Sequence, residues 1–210
     1  MSLTIMKLLP ILGIIGHIIN MYCDRILCVF PKGKLTLTEL KDIEKNNTMA
    51  NLMEGVSADI PMRSAILETF ALVLQFLGYL SITAYTYEYS KIYGSIMFLM
   101  IVFFCIIGTA HHMKYCLCEY VFLKLNRNDT AKSLMMQIFN SAPITKLCYV
   151  TYIGFVITLI IAIVTGTIGF PIWTVIFTIL PIFILLFPFR IIGTLHISAI
   201  ISMLAWIILI

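Results

Sequence analysis

The sequence predicts an all-α protein, a polytopic transmembrane helical bundle of six spans with two short interfacial helices. Three observations carry that prediction. Hydrophobic residues make up 61% of the 210-residue chain and charged residues 11%, roughly half the charged share of a soluble domain. Mean hydropathy is +1.03, far into the range of membrane proteins. The apolar residues also fall into six long runs separated by proline, glycine or charge, and a spanning helix needs about 20 such residues. With no internal repeat and no polar second unit, one integral membrane domain over residues 1–210 is expected.

The first span is expected over residues 8–30, ending where Pro31, Lys32, Gly33 and Lys34 bring breakers and charges together. No small-x-small cleavage site follows it, so this run is expected to remain in the protein. A polar region comes next. Thr36 and Glu39 have capping-box spacing and predict a short helix from Leu37. Met49, Leu52, Met53 and Val56 then make an apolar stripe, suited either to the bilayer surface or to packing against a neighbouring span. Asp59, Ile60 and Pro61 form a helix start, because proline is tolerated in the first turn. The second span is expected over 63–89 and closes on the tyrosines Tyr85, Tyr87 and Tyr89, suited to an interface.

A tight connection leads to the third span, 94–122, after which the polar residues 124–132 read as a turn. Leu134, Met135, Ile138 and Phe139 form the second interfacial stripe. The fourth span is expected over 144–165, followed by an uncharged turn to Pro171. The fifth, 172–189, contains Pro181 and Pro188 and is expected to be kinked. Arg190 separates it from the sixth, 191–210.

Six spans place both termini on one side. Of the fourteen basic residues, only Lys7 and Lys91 fall on that side. The positive-inside rule therefore predicts a multi-pass protein of the cell membrane, with both termini outside and the long basic loops in the cytoplasm. Topology accounts for the net charge of +4, so nucleic acid is not an expected partner. The six cysteines sit in or beside apolar runs and no CxxC occurs. They read as small buried hydrophobes rather than disulfide partners.

Ionisable groups inside the spans are expensive in hydrocarbon and need compensation. On the first span Gly13, His17, Asn20 and Asp24 step by four, three and four, a single helical face. On the third, Cys105, Gly108, His112, Tyr115 and Glu119 make a similar stripe, with His111 beside it, and Glu68 and Gln75 share a side of the second. Gly13 and Gly108 would let these helices approach closely. Arg63 opens the second span and His196 lies on the sixth. Together these residues predict a polar crevice among spans one, two, three and six, facing the cytoplasm.

Plainer roles compete with that reading. Asp24 pairs with Arg25 or Arg63 near the headgroups, Glu119 pairs with Lys114 or Lys124, Lys114 snorkels outward, and His196 is a packing residue. His112, Cys116 and Glu119 have zinc-ligand chemistry but lie on one helix without a partner motif. His17 and His196 differ in depth by about 10 Å on helical rise, too far to share an ion. No metal and no cofactor are expected. Serine-hydrolase elbows and phosphate-binding glycine loops do not occur.

Asp24 closing the first span, Arg63 opening the second, Gly78 with Tyr79, Gly108 with His111, and Pro171, Trp173 and Pro181 in the fifth together resemble an uncharacterised bacterial family of six-span integral membrane proteins, a domain of unknown function. The resemblance implies a membrane address and no known reaction. The residues themselves leave three classes open. The favoured one is a membrane protein binding or translocating a small polar or amphiphilic ligand in the crevice, with proton coupling through the histidines. The others are a membrane-embedded lipid-modifying enzyme using Asp24 and a histidine as acid and base, and a non-catalytic subunit whose polar network is structural. The bilayer and a small-molecule or lipid ligand are the expected partners. Protein partners are not legible.

Overall fold

In a computed structural model of the chain, which describes residues 1–35 and 47–210, the architecture is helical with one minimal hairpin. Eight α-helices are present among the described residues. They are α1 (Leu3–Cys28), α2 (Thr48–Leu52), α3 (Asp59–Tyr89), α4 (Lys91–Lys124), α5 (Asp129–Asn140), α6 (Ile144–Val164), α7 (Ile179–Leu186) and α8 (Thr194–Leu209). The strands β1 (Val29–Phe30) and β2 (Gly33–Lys34) form an antiparallel hairpin. The short helix predicted from Leu37 lies outside the described residues.

Four helical segments are long and apolar enough to cross a membrane: α1, α3, α4, and α6 with the α5 segment leading into it. Large apolar side chains such as Phe70, Phe103, Ile106 and Val150 stand exposed along them, a surface that water would penalise and lipid would not. The expected fifth and sixth spans take another form. Residues 172–189 divide into a 3-10 turn (Ile172–Phe177), α7 and a second 3-10 turn (Phe187–Phe189). Pro181 is tolerated best in a first helical turn, and the helix restarts at Ile179 after Thr178, whose backbone is extended and whose hydroxyl donates to the Val175 carbonyl at 2.8 Å. Arg190 and Gly193 are left-handed (φ 51° and 78°), which delays the last helix to Thr194. At 16 residues, α8 is shorter than the four long segments.

Helix α1 packs on α3, α3 on α4, α4 on α6, and α8 against both α1 and α7. The α1–α3 contact is the tightest. A Cβ built on Gly78 would fall 2.6 Å from the Gly13 Cα, and one on Gly16 would fall 2.5 Å from the Ala71 carbonyl oxygen. Gly13 therefore serves close approach as expected, but its partner is Gly78. A Cβ at Gly108 would meet only side chains at ordinary contact distance, Leu72 at 3.5 Å and Cys148 Sγ at 3.8 Å.

Pro10 lies inside α1, where its missing N–H leaves the carbonyl four residues earlier without a donor. That carbonyl, on Met6, accepts from the Ser81 hydroxyl of α3 at 2.5 Å. In a membrane such freed backbone groups must be satisfied by neighbouring helices, so the break in α1 and the α1–α3 contact support each other. Gln75 adds a second bond, its Nε2 donating to the Gly16 carbonyl at 3.3 Å.

A second apolar cluster sits beyond the ends of α1 and α4. Phe30 of the hairpin, Met53, Phe122, Ala131 and Met135 are all buried there. Of the two stripes, Met49, Leu52, Met53 and Val56 at α2 and just after it, and Met135, Ile138 and Phe139 of α5, pack into this cluster, while Leu134 stays exposed. Arg127 donates to the Met53 carbonyl at 2.9 Å, and Lys32 pairs with Glu54, holding that exposed carboxyl below its usual range. The cysteines are free among the described residues, and four are buried.

Replacing Ser81 with alanine should destabilise the protein by about 1–3 kcal/mol, the cost of orphaning a buried carbonyl. Pro10→Ala in the same chain should recover most of that, because the new N–H reaches Met6. Unfolding of the two single variants and the double variant in detergent measures this, and a double variant no more stable than Ser81→Ala contradicts it. Gly78→Ala, which must push α1 and α3 apart, should cost a similar 1–3 kcal/mol or so in the same assay.

Candidate functional site

The apolar-run periodicity of α1 places its buried residues Gly13, His17, Asn20 and Cys23 on the face turned to α3, and Asp24 at its edge. Because α8 starts only at Thr194, with Gly193 against the Met21 side chain, its first turn lies inside the bundle beside that face. His196 is thereby carried to His17, and their Nδ1 atoms are 2.9 Å apart. The depth difference of about 10 Å inferred from helical rise is overturned. It assumed a helix running from Ile191, whereas the left-handed residues shift its start.

From this pair a continuous polar array extends through the bundle. His196 Nε2 lies 3.2 Å from Asp24 Oδ2. On the other side, His17 Nε2 is 2.8 Å from the Tyr79 hydroxyl, which is 2.7 Å from that of Tyr152. A carboxylate only accepts, so His196 donates to Asp24 from Nε2, and with both imidazoles taken as neutral the order of the other donors follows. His196 presents Nε2–H to Asp24, so its Nδ1 accepts from His17 Nδ1–H. His17 Nε2 then accepts from the Tyr79 hydroxyl, which accepts from Tyr152. Both imidazoles are neutral in this arrangement and every hydrogen points toward Asp24. Aromatic packing holds it, with Phe155 and Trp206 edge-on to Tyr79 at 5.1 and 6.1 Å between centroids.

A second group adjoins Asp24. Glu68 of α3 is wholly buried, and its Oε1 is 3.3 Å from His112 Nδ1 of α4. Its other oxygen, Oε2, accepts from the Cys116 thiol at 3.5 Å. Asp24, Glu68 and His112 each offer a donor atom within 4.8 Å of the others. These are the described residues suited to holding a cation, and they differ from the His112, Cys116 and Glu119 set weighed on sequence. Cys116 touches Glu68 instead of completing that set. Asp24 is the most exposed member, its side chain 30% exposed against 19% for His112 and none for Glu68.

Several buried polar atoms on the same helices have no hydrogen-bond partner: both carboxamide atoms of Asn20, Ser64 Oγ, Glu68 Oε1, Gln75 Oε1, Glu119 Oε2 and Ser202 Oγ. Gly16 lies against Ala71 and Gln75, and Cys23 against Ser64. That register sets Asn20 level with Glu68.

The remaining sequence candidates lie apart from this centre. His111 turns to α6, with Nδ1 3.1 Å from the Thr145 hydroxyl. Tyr115 packs edge-on to His111 and Phe139. Arg63 is exposed, and Asp24 pairs with His196 rather than with Arg25 or Arg63. Lys114 donates to the Ala142 carbonyl at 3.0 Å and rests over the Phe139 ring, so it does not snorkel outward. Glu119 is buried with one oxygen unpartnered, not paired with Lys114 or Lys124 as the plainer reading had it. Tyr152 was absent from the sequence candidates and Tyr79 appeared only in the resemblance. Tyrosines inside apolar runs carry no signal until the helix facing them is known. A cleft of about 520 Å³ opens at the other end of the bundle, between Leu80, Thr83, Tyr87, Glu88 and Phe98, away from the polar centre.

The profile of a family described as "Family of unknown function (DUF6796)" matches residues 1–209. No curated protein and no solved structure matches the chain.

The donor order in the array makes its two tyrosines unequal. Tyr152→Phe should cost about 0.5–1.5 kcal/mol, one terminal hydrogen bond. Tyr79→Phe removes two bonds and leaves His17 Nε2 without a donor, and should cost about 1–3 kcal/mol or more. Equal losses in detergent unfolding would contradict the assigned order.

Proposed function

We propose, for a chain that belongs to the DUF6796 family of unknown function, a multi-pass cell-membrane protein that binds and passes a small polar ligand through an intramembrane crevice facing the cytoplasm. Six crossings make up the bundle, α7 with its flanking 3-10 turns forming a broken fifth and α8 the sixth. Both termini lie outside and the long basic loops lie in the cytoplasm, the arrangement favoured by twelve of the fourteen basic residues falling on the loop side.

One observation carries the reading. Partnerless buried polar atoms lie on α1, α3, α4 and α8, the helices that carry Asp24, Glu68, His112 and His196. An unsatisfied buried polar group costs about 1–3 kcal/mol, and several in one neighbourhood serve no packing purpose. Water and a polar guest would satisfy them. Asp24, partly exposed near the end of α1 that leads to Arg25, Lys32 and Lys34, is the mouth. A purely structural network would close its own hydrogen bonds, as buried polar groups ordinarily do.

The accessible mouth predicts that Asp24→Cys in sealed inside-out vesicles reacts with a membrane-impermeant maleimide added to the medium, read by peptide mass spectrometry. Ile18→Cys, on the exposed apolar side of α1, should remain unmodified. Absence of label at position 24, or label only in right-side-out vesicles, sinks the reading.

A further inference from the structure

We infer that the guest of this crevice is a divalent first-row transition cation held by Asp24, Glu68 and His112. The inference rests on the crevice reading above and names the class of ligand it admits.

The donor set has the right chemistry. One imidazole nitrogen and two carboxylate oxygens, from three different helices, suit ions such as Zn²⁺ or Mn²⁺ and leave coordination positions open. Their mutual separations of up to 4.8 Å exceed the roughly 3.4 Å between ligands of a tetrahedral ion at about 2.1 Å. Side-chain rotation of about an ångström closes that difference.

Charge points the same way. Asp24 and Glu68 bring two carboxylates together inside the bundle, and the ion pairs described for them are with His196 and His112 rather than with a lysine or arginine. A bound divalent cation would balance both carboxylates at once.

The independent observation is the state of the buried oxygens. Glu68 Oε1 faces His112 Nδ1 at 3.3 Å without the alignment of a hydrogen bond, and on a side chain wholly out of contact with solvent it has no donor. An oxygen so placed, beside an imidazole nitrogen and with no hydrogen-bond donor of its own, is open to a cation. Asn20, equally buried and level with Glu68, keeps an unpartnered carbonyl oxygen as well. The outer shell is in place: His196 Nε2 backs Asp24 and the Cys116 thiol backs Glu68 Oε2. Metal-bound carboxylates are normally oriented by such partners.

The test uses the untagged full chain in detergent, stripped with chelator and then titrated with Zn²⁺, Co²⁺ and Mn²⁺. Calorimetry and elemental analysis should give one ion per chain, and Co²⁺ should add a visible absorption band. Asp24→Asn and His112→Ala should weaken binding more than about tenfold, and His196→Ala by about 10- to 100-fold through the outer shell. His111→Ala, whose ring faces Thr145 instead, should bind as wild type. Should a variant fail to fold, the Co²⁺ spectrum and stoichiometry of the wild type still decide. Wild-type protein that takes up none of the three ions, or His112→Ala with unchanged affinity, overturns the inference. If position 24 is still labelled in vesicles while no ion binds, the crevice stands and the cation falls. Stoichiometric metal without labelling keeps the site and removes the crevice.

Discussion

Everything polar in this bundle depends on how closely α1 and α3 approach. With no Cβ on Gly13 and Gly78, the two backbones touch, and the contact leaves little freedom to slide. That register sets His17 against Tyr79, Asn20 level with Glu68, and Cys23 against Ser64. Proline at position 10 strengthens the constraint, since the carbonyl it frees is satisfied only by Ser81 across the same interface. A wider separation would break the array between His17 and Tyr79.

Much of the helical framework was legible in the sequence. Apolar length and breakers located α1, α3, α4 and α6 to within a few residues, because hydrocarbon thickness and backbone satisfaction leave few alternatives. Asp59 and Pro61 marked the start of α3, and Ser90, which caps α4 by accepting from the Tyr93 N–H, sits in the expected tight connection. Residues 172–210 were read less well. Two prolines and two left-handed residues divided what looked like two long apolar runs, and hydropathy does not register a backbone that turns. Lys32 and its neighbours read as a plain break, whereas Pro31 and Gly33 build a hairpin that returns the chain to the second apolar cluster.

The candidate centre was partly visible for a similar reason. Periodicity gathers residues on one face of one helix, so the α1 stripe of His17, Asn20 and Asp24 could be drawn, and so could the pairing of Glu68 with Gln75. Which face meets which neighbour is a tertiary fact. His111 and His112 are adjacent, and only the second turns to Glu68. Arg63 had suitable depth but stands exposed. The His17 to His196 contact was excluded by a depth estimate that took helix ends for granted, and Tyr79 and Tyr152 were hidden among hydrophobes.

The apolar cluster beyond the ends of α1 and α4 also sets limits on motion. Phe30, Met53, Phe122 and Met135 tie the hairpin, α2, α4 and α5 into one small knot, and Arg127 cinches it to the Met53 carbonyl. The feet of two long helices are thereby clamped and cannot splay independently. His196 rides on the opposite flank, on a short helix reached through 3-10 turns and left-handed residues. The last helix therefore meets the polar centre from outside that knot, held by its own contacts with α1 and α7.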